Sequence, residues 1–212
     1  YIYLKKAEYT QAEACFRRAL SMAESIDDDP LISVVLSDRG EMAAARQDLV
    51  EATLWYQRAL ALAERTKDRE YLSLWNAALA VVYQGQQAQE DAKKCITRAL
   101  VIGRATGKHP CIGVALVALS NIRIMQAQQA ARNTPTYRQL LRKAQRDVER
   151  ALALNGLYAE TRTRANLAQA QVSLLLDDIV QAKQRFQQVL GDARRYELAV
   201  VEQQAKALFV LV

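Results

Sequence analysis

Residues 79–100 read LAVVYQGQQAQEDAKKCITRAL and residues 3–20 read YLKKAEYTQAEACFRRAL. Each ends on a small residue, three others, a large apolar residue, two more and a small residue again: Ala92, Ile96, Ala99 in one, Ala12, Phe16, Ala19 in the other. The same spacing returns in Ala52, Tyr56, Ala59, in Ala144, Val148, Ala151 and in Ala182, Phe186, Val189. Steps of four and three residues fall on one stripe of an α-helix, where the small side chains admit a neighbouring helix and the large one fills the gap. Five copies in register are an internal repeat, their closing residues 40, 40, 52 and 38 apart. Pro30 and Pro110 each lie eleven residues after a closing Ala, and the pattern places them at the first position of the next helix, with Asp29 as N-cap before Pro30.

Composition agrees with an all-helical chain. Among 212 residues there are only 7 Gly and 3 Pro, too few for a protein of hairpins and tight turns. The chain is 51% apolar and 25% charged, enough to bury a core. One His and three Cys, without HExxH or CxxC spacing, argue against a zinc site or His-based catalysis, and no GxxxxGKS or GxGxxG loop cradles a nucleotide. The expectation is a protein that is not an enzyme and needs no cofactor or metal. No run of about 18 uninterrupted apolar residues points to a membrane span. The missing initial Met and the apolar end ALFVLV, residues 207–212, suggest one solenoid domain cut from a longer multidomain protein, since such arrays need polar caps.

The repeated segments resemble the tetratricopeptide repeat, whose first helix carries a Trp, Leu-Gly and Tyr pattern and whose second carries Ala, Phe and Ala. Gly40, Ala80 and Ser120 stand at the small place of the first helices, and Tyr3 and Tyr83 match the family Tyr. The family Trp is replaced by Leu36, Asn76 and Leu116, and the period is 40 instead of the usual 34 or so. That longer period is similar to the arrays of kinesin light chains and MalT-like bacterial regulators. The resemblance implies a right-handed superhelical solenoid of antiparallel helix pairs, about five repeats, with second helices at about 9–25, 49–66, 88–105, 136–154 and 178–194. First helices are expected at about 31–46, 70–86, 111–131, 158–176 and 197–212. It also implies a scaffold that binds a protein or peptide partner, or another domain of the same protein, in a cytoplasmic regulatory or signalling protein.

The 52-residue spacing holds about twelve extra residues around 126–140. With Thr134 as N-cap and Pro135 as first helical residue, the insertion is expected to lengthen both helices of the fourth hairpin by about six residues, projecting it by roughly 9 Å. The net charge of +6 lies there: residues 121–165 hold 9 basic and 3 acidic side chains, while both flanks are balanced. Arg138, Arg142, Arg146 and Arg150 recur every fourth residue with Lys143 beside them, opposite the apolar set Leu141, Ala144, Val148 and Ala151. This stripe is expected on the convex surface, partly neutralised by Asp147 and Glu149. It reads either as a solvated face or as a ridge for an acidic partner or, less favoured for want of interleaved aromatics, nucleic acid.

Two first helices are unusually apolar, LSLWNAALAVVY at 72–83 and CIGVALVALSNIRIM at 111–125, whereas residues 31–46 carry Ser33, Ser37, Asp38, Arg39, Glu41 and Arg46. The resemblance puts Leu74, Ala77, Ala78 and Val81 of one, and Val114, Val117, Ala118, Asn121, Ile124 and Met125 of the other, on the concave surface. These form either a groove for an amphipathic helix or extended apolar peptide, or a face buried by tight curvature. The absence of Asn at Ala78 and Ala118 argues against a clamp for acidic chaperone tails. Cys15 and Cys95, at equivalent places with Trp55 between them, read as packing residues beyond disulfide reach. Cys111 near His109 lacks the third group a nucleophile needs, and Asp27, Asp28 and Asp29 read as helix caps, not a metal loop.

Overall fold

The computed structural model describes residues 2–212, the side chain of Lys5 excepted, and among these every regular element is a helix. In chain order they are α1 (Ile2–Lys5), α2 (Tyr9–Ser25), α3 (Asp29–Ala45), α4 (Leu49–Arg65), α5 (Arg69–Gly85), α6 (Gln89–Thr106), α7 (His109–Gln129), α8 (Pro135–Leu152), α9 (Ala159–Leu175), α10 (Ile179–Arg195) and α11 (Ala199–Phe209). Consecutive helices pack in antiparallel pairs, and odd-numbered helices from α3 to α11 also touch their successors, forming one layer covered by the even-numbered ones. The expected solenoid is present, and most helix bounds fall within two residues of those read from the sequence.

One turn makes this order. Ala7, Asp27, Gln47, Lys67, Gln87, Asp177 and Glu197 have positive φ between 50° and 64°, with Gly107 at 67°. From residue 7 to residue 107 they recur every 20 residues. The left-handed residue folds the next N–H groups back on the helix just ended: Gln47 N donates to Ala44 O at 3.0 Å and Asp48 N to Ala43 O at 2.9 Å. The Asp48 carboxylate then accepts from Glu51 N at 2.9 Å, so one residue closes α3 and caps α4. Asp28, Asp68 and Asp178 do the same. The N-cap of α3 is therefore Asp28, not Asp29. Pro30, like Pro110, is the second helical residue, because the shared turn fixes where the helix starts.

Small residues set the helix spacing. Ala12, Ala52, Ala92, Ala144 and Ala182 are all buried, as are the large residues Phe16, Tyr56, Ile96, Val148 and Phe186 beside them. Buried hydroxyls tie the two helices within each of three pairs: Ser33 Oγ donates to Ala59 O and Ser73 Oγ to Ala99 O, both at 2.9 Å, and Ser120 Oγ to Ala144 O at 3.1 Å. Ser33 and Ser37, polar in sequence, thus lie inside. Cys15 is exposed and is not a packing residue, whereas Cys111 is buried.

The insertion is distributed unevenly. α7 has 21 residues against 17 in α3, α5 and α9, the following turn spans 130–134, and α8 begins six residues earlier relative to Ala151 than α4 does relative to Ala59. Thr134 caps α8 as expected, accepting from Tyr137 N at 3.2 Å. At its other end α8 stops at Leu152, and Leu154 and Leu157 of the linker 153–158 lie over Gly113, where a Cβ would collide with Leu157. The extended tip does not stand free. Tyr137 is 3% exposed and its hydroxyl donates to Leu175 O at 2.6 Å, while Arg132 pairs with Asp177 at 2.9 Å.

Helix α7 is long and apolar enough, by length and composition, to cross a membrane. Its composition answers to packing against α5, α6, α8 and α9 together, which leaves only a narrow strip uncovered. The left-handed turns also leave a margin for stabilisation, since a Cβ in that conformation costs about 1 kcal/mol. Gln47→Gly and Gln87→Gly should each raise stability by about 0.5–1 kcal/mol in urea titrations, and Asp48→Ala should lower it by about 1 kcal/mol through loss of the cap.

Candidate functional site

Helices α3, α5, α7 and α9 begin at residues 29, 69, 109 and 159, so equivalent places follow by offset. The places of Leu74 and Val114 correspond to Arg164 in α9, and those of Val81 and Asn121 to Glu41 in α3. In space Arg164 Nη2 lies 2.8 Å from Glu41 Oε1, although 123 residues separate them. The inner faces of the first helices therefore curve round far enough for one ion pair to join the second and fifth helix pairs. Arg164 is also held from its own helix, with Nε 3.0 Å and Nη2 2.9 Å from Glu160 Oε1. The ends approach a second time where Lys6 Nζ lies 3.4 Å from Glu197 Oε2.

Helices α5 and α7, between the two helices so joined in the array, carry the side chains expected to form a groove. Leu74, Ala78, Val81, Val114, Asn121 and Met125 are half-buried there, with Val81 and Val114 packed against the cluster of Ala77, Ile96, Ala115 and Ile122. Val117 and Ile124 are 5% and 3% exposed and belong to the interior, clustered with Tyr137, Leu141 and Val148 of α8 and Val172 of α9. Helix α8 covers them, so they are core residues and not groove residues. Ala77 and Ala118 are likewise buried. Tyr71 and Trp75 stack at 5.1 Å between ring centroids near the start of α5, and Trp75 Nε1 donates to Ser33 Oγ at 3.0 Å.

The carboxylates of the bridge were not singled out in the sequence, although sliding the concave register onto α3 and α9 reaches Asp38, Glu41 and Arg164. Asp38 occupies the place of Ala78 and Ala118. Its burial, with Glu41 and then Glu160 nearby, pushes its carboxyl up to about 7. The same burial and the Glu41 charge drive the Tyr56 phenol well above its ordinary value, keeping it neutral.

On the outer surface Arg138, Arg142, Lys143, Arg146 and Arg150 are all exposed along α8, opposite buried Tyr137, Leu141, Ala144, Val148 and Ala151. Among the described residues none of the five forms an ion pair. Asp147 does not neutralise the stripe: it is 4% exposed and bound by Arg123 of α7, which also donates to Lys143 O at 3.2 Å. Burial pushes the Asp147 carboxyl up, with Arg123 pulling against it. Glu149 accepts from Gln145 within α8 at 2.9 Å.

A family model for the tetratricopeptide repeat matches residues 1–65. Those residues are tetratricopeptide repeats. No curated protein matches the chain. Beyond residue 65 the helix pairs continue through the same left-handed turns at 67, 87, 107, 177 and 197. Tetratricopeptide repeats generally mediate protein–protein interactions. Burial pushes the Cys95 and Cys111 thiols up, away from the reactive thiolate.

Two measurements probe this geometry. Because native Asp38 holds its proton up to about pH 7 while the unfolded chain releases it near 4, the native state binds more protons in that window. Stability therefore falls as pH rises through it. Asp38→Asn should raise the melting temperature at pH 8 and change it little at pH 4. Arg123→Ala, which strands a buried carboxylate, should cost about 2 kcal/mol in chemical denaturation, whereas Arg146→Ala should stay within about 0.5 kcal/mol.

Proposed function

We propose that the array is the scaffold or sensor part of a larger regulatory protein and binds a peptide or helix of a protein partner in its concave channel. Leu74, Ala78, Val81, Val114 and Met125 supply the apolar floor, and Asn121 offers a side-chain amide to a partner backbone. The observation that carries the reading is the half-buried state of these side chains between α3 and α9. Val81 and Val114 pack against the buried cluster of α5, α6 and α7 yet stay partly exposed, whereas Val117 and Ile124 are covered. The 40-residue period, similar to that of MalT-like regulators, supports a regulatory setting.

The Glu41–Arg164 bridge bears on access. A partner entering the channel competes with an ion pair whose side chains are each about one third exposed, 32% and 34%. Such a pair contributes no more than about 1 kcal/mol.

Peptides selected from a random phage library against the intact chain provide the test, with affinities read by fluorescence anisotropy. Val81→Asp and Val114→Asp should each weaken the selected peptides at least tenfold while circular dichroism stays helical. Arg164→Ala should tighten them by up to about fivefold. Selected peptides indifferent to both aspartates, or cross-linking only to even-numbered helices, would reject the channel as the binding face.

A further inference from the structure

The surface of α8 carries a second site that does not depend on the concave channel. Arg138, Arg142, Arg146 and Arg150 project from one side of the helix, and from Pro135 to Arg146 that side forms a shallow trough lined by Arg138, Gln139, Arg142 and Lys143. A solvated basic face ordinarily carries compensating carboxylates at i±3 or i±4. Here Asp147, the acid best placed to supply one, is turned inward to Arg123, which leaves exposed Glu149, bonded to Gln145, as the single carboxylate of α8 facing solvent. The helix is also fixed in place: Tyr137 locks its first turn to the end of α9, and Leu141, Ala144, Val148 and Ala151 are wholly buried. Arg138, Arg142 and Arg146 thus stand on a rigid rod and form no ion pair among the described residues, while Arg150 lies near enough to Asp147 to act on its charge.

We infer that this face of α8 docks an acidic α-helix from a partner protein. Four residues of α-helix rise about 6 Å, so four arginines at that interval meet, in register, glutamates placed every fourth residue of a partner helix. Each guanidinium then offers a carboxylate its planar pair of N–H donors. Nucleic acid matches less well. A duplex strand presents a charge about every 3.4 Å, and single strands are held on exposed aromatic rings. The only aromatic side chain of α8, Tyr137, is buried against α9.

The probe is an alanine-based 18-residue helical peptide with glutamate at every fourth position. It is compared with a peptide of the same composition whose glutamates are spread around the helix, and with single-stranded oligothymidylate. Anisotropy titrations at 50 mM and 300 mM salt should show the in-register peptide bound at least fivefold more tightly than the spread one, with affinity falling as salt rises. Arg142→Glu with Arg146→Glu should weaken it at least tenfold at an unchanged melting temperature, and Arg162→Glu, an exposed charge on α9, should leave it within twofold. Equal affinity for the two peptides, an equal loss from Arg162→Glu, no binding at 50 mM salt, or tighter binding of the oligothymidylate would each overturn the assignment. Val81→Asp should have no effect on this titration, which separates it from the concave channel.

Discussion

The structure depends on a three-residue turn in which a single residue serves two helices. Its N–H completes the last turn of the helix behind it, and at Asp28, Asp48, Asp68 and Asp178 its side chain caps the helix ahead. Because the same backbone path recurs every 20 residues over the first half of the chain, helix length, direction and rotation are set together. The apolar stripes then return to the same side each time. The turn satisfies the terminal amides and carbonyls without Gly or Pro, which explains how so helical a chain can be nearly free of both. Gly107 alone among these turns uses the residue that the left-handed conformation favours.

Where the turn is replaced, the array changes character. The five-residue connection 130–134 permits a longer α7 and an earlier start to α8, and the added surface is then reclaimed by packing. Tyr137 reaches α9, Val117 and Ile124 become interior, and Asp147 is drawn beneath α8 to Arg123. The basic residues, too long and too well hydrated to follow, remain outside. One helix thereby separates an acid from the bases beside it in sequence. The odd-numbered helices show a comparable division along the array: apolar channel residues on α5 and α7, charged ones at the same places on α3 and α9.

Much of this was legible in the sequence. The small–large–small stripe gave the helices because close packing of α-helices has few solutions, and the periodicity located them to about two residues. The exposed arginine stripe followed from the opposite stripe being apolar. Other features depend on distances that local pattern does not encode. Val117 and Ile124 look like their half-exposed neighbours until α8 is known to lie over them. Asp147 looks like a neutralising surface acid until its depth is known. The bridge between Glu41 and Arg164 requires the curvature of the whole array, which accumulates from small rotations at each interface. The cap at Asp28 was misplaced by one residue because three consecutive aspartates satisfy the local rule equally well.

The contacts between the ends of the array alter how it unfolds. An open solenoid behaves as a row of units, each stabilised by its two neighbours, and it frays from its termini. Here the second and fifth pairs share Arg164 and Glu41, and the turns at Lys6 and Glu197 meet beyond them. Local opening at one end therefore removes a contact from the other. Opening at the two ends is thereby coupled by no more than about 1 kcal/mol per ion pair, a small addition to the nearest-neighbour terms that hold the row together.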